Sequence, residues 1–91
     1  SIVKNISVFD LFVTTGQQQV VLPINSKILN VKHNYNIQIA ICAFMYPKTA
    51  TLTEVRIFEF VTDELCADNA TFISSIMYDE KEYFLFEIHL T

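Results

Sequence analysis

From Ile37 to Pro47 the chain reads IQIAICAFMYP, an apolar run broken only by Gln38 and closed by a tyrosine and a proline. A run of this length fits a strand, and its apolar residues occupy both faces: Ile37, Ile39, Ile41, Ala43 and Met45 on one, Ala40, Cys42, Phe44 and Tyr46 on the other. A strand with one wet side would alternate. In a chain of 91 residues, which buries only roughly 60% of its unfolded surface on folding, doubly apolar patterning calls for two covering layers or a partner subunit.

The rest of the pattern is also β-like. Ile2 to Val8 alternates loosely and continues irregularly through Asp10 to Val13, where Thr14-Thr15-Gly16 interrupts it. Gln18 to Leu22 is β-prone and stops at Pro23, Asn25-Ser26 makes a turn, and Lys27 to Lys32 places Leu29 and Val31 on one face. His33-Asn34-Tyr35-Asn36 then turns the chain into the apolar run, predicting an antiparallel hairpin. In Leu52 to Thr62, Val55 and Ile57 share one face and Phe58 and Phe60 the other, which points to a bulge or to burial on both sides. Asp63 to Asn69 is the one plausible helical turn, with Asp63 as its cap. Thr71 to Tyr78 pairs through Asp79-Glu80-Lys81 with Tyr83 to Leu90, whose Phe84, Phe86, Ile88 and Leu90 read as inward-facing, leaving Tyr83, Glu87 and His89 outward. About seven short strands predict an all-β, mainly antiparallel single domain spanning residues 1–91, a small sandwich or open barrel.

Composition sharpens the picture toward assembly. A hydrophobic content of 52% exceeds the usual share of about 45 to 50%, which favours a homo-oligomer. No apolar stretch approaches the roughly 20 residues of a membrane helix and no secretory signal is visible, so the expected location is the cytoplasm, away from any membrane. Cys42 and Cys66 lack metal or redox spacing and read as reduced thiols, Cys42 as a small core hydrophobe with a raised pKa. The net charge of -4 argues against long nucleic acid, whose binding rests on neutralising many phosphates, but not against one small anion held locally.

Catalytic motifs are missing: there is no GxSxG, HExxH, CxxC, P-loop or dinucleotide glycine pattern, and only one glycine. His33 and His89 read as turn or edge residues, and Glu80, Glu82, Asp63 and Glu64 as solvated turn charges, so neither an enzyme nor a cofactor is expected. One segment does gather binding chemistry. Phe44 and Tyr46 offer aromatic faces, Thr49 and Thr51 (with Thr53) hydroxyls, Lys48 and Arg56 cations, and Tyr35 a second stacking tyrosine. Bases stack on aromatic faces at about 1 to 3 kcal/mol each, and a guanidinium forks onto phosphate oxygens. The structural alternative, which the residues alone favour, makes Phe44 and Tyr46 core aromatics, Lys48 a solvated loop tip, and Arg56 a partner of Glu54 or Glu59.

The residues Gln18-Gln19-Val20-Val21-Leu22-Pro23, then Lys27-Ile28-Leu29-Asn30-Val31, then an apolar strand closing on Tyr46-Pro47, then Phe84-Leu85-Phe86, carry a resemblance. The chain from Gln18 to His89 resembles a family of small phage-encoded β-proteins that read Q-x-[VI]-x-LP-x-x-[AS]-KIL-x-V before an apolar strand ending in proline. It departs from that family at Cys42, where a tryptophan is usual, and at Asp79 to Glu82, where a glycine-rich turn is usual; roles at those positions are not carried over. The family is similar to anti-CBASS sponges, which assemble as oligomers and sequester cyclic dinucleotides without cleaving them. The resemblance implies immune evasion in the host cell cytoplasm by a homo-oligomer, tetrameric by preference, holding a ligand such as 3'3'-cGAMP. On that reading Tyr46 and Tyr35 stack bases, Arg56 and Lys48 meet phosphates, and Arg56→Ala abolishes binding without disturbing the fold. The competing reading is a non-enzymatic protein–protein interaction module, a virion accessory or host-protein inhibitor, that uses its apolar strand as a partner surface.

Overall fold

The computed structural model describes residues 2–33 and 37–90. These form seven strands: β1 (Lys4–Phe12), β2 (Gln18–Pro23), β3 (Lys27–His33), β4 (Ile39–Pro47), β5 (Thr53–Val61), β6 (Ala70–Tyr78) and β7 (Lys81–Ile88). Every pairing is antiparallel, in one sheet of order β1-β4-β3 and another of order β2-β5-β7-β6. There is no helix among the described residues. The all-β architecture is therefore the one the patterning predicts.

Both sheets contribute to one core. Leu11, Ala40, Cys42 and Phe44 enter it from the three-stranded sheet, and Leu22, Phe58, Phe60, Ile76 and Leu85 from the other. Phe9 bridges the layers, its ring 5.6 Å from that of Phe44 on its own sheet and 5.4 Å from that of Phe58 across the core. The predicted hairpin of β3 and β4 is present, although Tyr35 and the rest of 34–36 lie outside the described residues. β4 begins two residues later than the apolar run because Gln38 already belongs to the corner, its carbonyl accepting the Val13 N–H at 2.9 Å.

The chain passes from the first sheet to the second between Phe12 and Gln18, and the Gln18 side chain holds that corner. Its Oε1 accepts the Phe12 N–H and its Nε2 donates to the Phe12 carbonyl, both at 2.6 Å, so a side-chain amide replaces a missing neighbouring strand. The return crossing, from β2 to β3, turns at Asn25 with φ of 63°, where Ser26 donates its N–H and hydroxyl to the Pro23 carbonyl.

Several local readings need correction. Leu85, not Phe84 or Phe86, is fully buried, Tyr83 packs on the core, and Leu90 is 84% exposed. Three consecutive apolar residues do not declare a face, and pairing of β7 with β5 opposite Phe60 selects Leu85. Leu29 and Val31 do not share a face, because a bulge between Ile28 and Asn30 expels Leu29 and turns Ile28 and Val31 toward the core. β5 carries no bulge: its pairing with both neighbours runs without a shift. The connection from β5 to β6 is not helical, since β7 lies between those strands and a span of about two 4.8 Å strand spacings favours extended chain.

The β6–β7 hairpin closes on two residues, Asp79 and Glu80, with φ of 50° and 63°. Consecutive left-handed residues match the twist of the strands, but a glutamate there bears a Cβ penalty of about 1 kcal/mol. Glu80→Gly is expected to raise stability by about 0.5 kcal/mol, after the entropy of the unfolded glycine is offset, as measured by urea unfolding; a loss of stability would show that no strain resides in the turn.

Candidate functional site

The segment from Phe44 to Arg56 does not converge on one cavity. Phe44 and Tyr46 point inward from β4, their rings stacked at 5.6 Å and 27°, with Phe44 buried and Tyr46 packed against the core. The next residues leave the sheet in a turn in which Ala50 donates to the Pro47 carbonyl at 3.0 Å and Lys48 to that of Val3 at 2.9 Å. The Lys48, Thr49 and Thr51 side chains are exposed there. Tyr35 lies outside the described residues.

Arg56 is committed elsewhere. It shares the inner side of β5 with Phe58 and Phe60, its guanidinium carbon 5.9 Å from the centre of the Phe58 ring. Its Nε donates to Glu87 Oε2 at 2.7 Å and its Nη2 to Glu87 Oε1 at 2.6 Å, while Nη1 donates to the Ser26 carbonyl. Both charged side chains are only 14% exposed. The hydrogen bonds to Glu87, with the charges of Glu87 and Glu54, outweigh the opposing effect of partial burial, lift the Arg56 pKa above its ordinary value and keep it a cation. Its partner is Glu87 rather than the neighbouring Glu54 or Glu59. A phosphate reaching Arg56 would have to displace this carboxylate from the sandwich interior, so Arg56 ties the β2–β3 crossing to β7 instead of presenting a free fork.

The remaining polar candidates are similarly occupied. His33 Nε2 lies 2.9 Å from the Ile37 carbonyl with its ring edge-on to Tyr78, and His89 Nε2 lies 2.7 Å from Thr71 Oγ1. No group of three metal-binding side chains occurs among the described residues. Burial, with a smaller contribution from Asp10, pushes the Cys42 thiol up to about 12, so it is no nucleophile near neutrality. Two shallow depressions, of about 230 and 330 Å³, flank the β5–β6 connection and touch none of the predicted residues.

What the structure does assemble is a broad apolar surface. On the outer side of the β1-β4-β3 sheet, Ile39, Ile41, Ala43 and Met45 pair in turn with Phe12, Asp10, Val8 and Ile6. Ile6 is 66% exposed, Val8 59% and Phe12 50%, and the β4 residues between them are only partly covered. The second apolar face of β4, read from the sequence, thus has no layer of the described residues above it. Reasoning from the sequence missed its neighbours in β1, because a loose alternation of Ile6 and Val8 reads equally well with either face inward. The opposite side of the molecule is also apolar: Val21, Val55, Phe72 and Met77 are exposed on the outer side of the four-stranded sheet, Phe72 lying against Phe84 and Phe86.

Arg56→Ala should destabilise the fold by about 2 kcal/mol or more, since it strands a partly buried carboxylate and the Ser26 carbonyl. The Arg56→Met/Glu87→Leu double variant should recover much of that loss in urea unfolding, whereas strict additivity of the single changes would show that the pair is not coupled. A thiol reagent at neutral pH should modify exposed Cys66 at once and Cys42 only after denaturation. Because the folded pKa of Cys42 is raised from 9.0, its contribution to stability is complete below about pH 9 and falls as pH climbs toward about 12. Rapid labelling of Cys42 in the folded protein would contradict this placement. No family model, curated protein or solved structure matches the chain.

Proposed function

We propose that this chain is a non-enzymatic protein–protein interaction module that associates, first of all with its own kind, through the apolar outer face of the β1-β4-β3 sheet. One observation carries the reading: β4 is apolar on both sides, and among the described residues nothing forms a covering layer over the side bearing Ile39, Ile41, Ala43 and Met45, beside exposed Ile6, Val8 and Phe12. Contiguous apolar surface of this kind is where proteins bind one another, and each 100 Å² hidden from water contributes about 2.5 kcal/mol before the costs of association.

Sequestration of a cyclic dinucleotide such as 3'3'-cGAMP is the second reading. Lys48, Thr49 and Thr51 support it, being exposed together on the connection that leaves Tyr46. On this reading they supply the phosphate donors, while Arg56 stays with Glu87 as scaffold.

Light scattering after size exclusion, together with a thermal-shift panel of cyclic di- and trinucleotides, separates the two. Association predicts a mass above the 10.5 kDa of one chain, a return to that mass in Val8→Lys, and no nucleotide shift. At dilutions where the wild type is also monomeric, Val8→Lys should change unfolding stability by no more than about 0.5 kcal/mol, as befits a site exposed in the single chain. A species that remains at 10.5 kDa at high concentration, yet melts higher with a cyclic dinucleotide that is recovered intact, would overturn the proposal in favour of sequestration.

A further inference from the structure

The charges of this chain are divided between its two layers. Lys4, Lys27 and Lys32 stand in the three-stranded sheet, Lys48 extends from its end, and Asp10 is the sheet's one carboxylate. The other nine of the ten acidic residues lie on the strands and connections of the four-stranded sheet, against Lys81 and an Arg56 already taken by Glu87. The register puts these charges beside the apolar surfaces. On the outer side of the first sheet, Lys27 pairs with Met45 and Lys32 with Ile41. On the outer side of the second, Glu59 pairs with Phe86, which in turn pairs with exposed Phe72, and Glu82 pairs with exposed Met77. Asp63 and Glu64 lie next to this surface, lining the depression that Phe84 and Phe86 floor. The molecule is a slab whose Cα extents are 42 × 33 × 18 Å, so its two broad faces are apolar, carry opposite charge, and lie back to back.

From this polarity we infer that the occupant of the basic apolar face is the acidic apolar face of a second copy. This inference rests on the association proposed above and adds which surfaces meet. Two basic faces brought together by a two-fold axis can set Lys32 against the partner's Asp10, because both stand in the row of Ile41, but they leave Lys4, Lys27 and Lys48 without anions. Unlike faces leave no such surplus: the lysines meet Glu59, Glu82 and the acidic connection while Val8, Met45, Phe72 and Met77 close the centre. The contact is heterologous, so the joined pair retains one free face of each kind, and the assembly grows as a ring or a stack rather than stopping at two.

Two charge-reversed chains test the arrangement. Lys27→Glu/Lys32→Glu makes both faces acidic, and Glu59→Lys/Glu82→Lys makes both basic. In sedimentation velocity at low salt, each variant alone should fall to the monomer mass, and an equimolar mixture should re-form a complex containing both chains. Wild-type assembly should weaken as salt rises, since screening removes the attraction between rims. Circular dichroism of each variant, matched to the wild type, excludes unfolding as the reason for dissociation.

Persistence of the Lys27→Glu/Lys32→Glu assembly, or assembly that strengthens with salt, would overturn the unlike-face arrangement while leaving association through the apolar sheet intact. Failure of the mixture to re-form a complex would overturn it too. A wild-type chain that is monomeric at every concentration would overturn both proposals. If that monomer binds vesicles containing phosphatidylserine and not neutral ones, the basic face is a membrane-docking surface instead.

Discussion

A two-layer sandwich can cover only one face of each sheet, and the rest of this structure follows from having more apolar surface than that geometry can hide. Ala40, Cys42, Phe44 and Tyr46 line the inner side of β4 and Ile39, Ile41, Ala43 and Met45 its outer side. The inner set meets Phe9, Phe58 and Leu85 in a single core. A second covering layer would need further strands or helices, and the described residues supply none. Surface that a larger domain would bury within itself is presented outward, where its loss from water can drive contact with another molecule.

The same shortage of interior decides what the polar groups do. Arg56 sits among Val20, Phe58 and the β2–β3 crossing, and an isolated guanidinium there would be costly. Glu87 neutralises it from the adjacent strand, and the Ser26 carbonyl takes a further N–H. The three partners connect both sheets: β5 and β7 belong to one, while Ser26 leads directly into β3 of the other. A residue type suited to phosphate recognition thus serves as the polar clasp of the sandwich. Buried Phe44 and core-packed Tyr46 show the same preference for structural use, leaving Lys48, Thr49 and Thr51 as the exposed members of the predicted cluster among the described residues.

Charge separation across an 18 Å slab gives the exposed apolar faces a direction. Hydrophobic burial alone would accept any apolar partner, whereas lysines on one side and carboxylates on the other penalise like-with-like contact and favour unlike faces. In the proposed association, specificity comes from the rims and adhesion from the centres.

Much of the fold was legible in the sequence because strand periodicity is local. Alternating or doubly apolar runs, interrupted at Gly16, Pro23, Asn25 and Asp79-Glu80, located the strands and the two hairpins and excluded a helical class. The double apolar character of β4 called for two covering layers or a partner, without saying which. The inward side of β7, the expulsion of Leu29 at its bulge and the pairing of Arg56 with Glu87 were not legible. Each depends on strands distant in the chain: β5 selects Leu85 over Phe84 and Phe86, β4 sets the slip in β3, and the β2-β5-β7 order brings residues 31 positions apart within hydrogen-bonding distance. Local patterning determines which residues avoid water, but which side of a doubly apolar strand is hidden, and which charges meet, is decided only when sheet order and register place one strand against another.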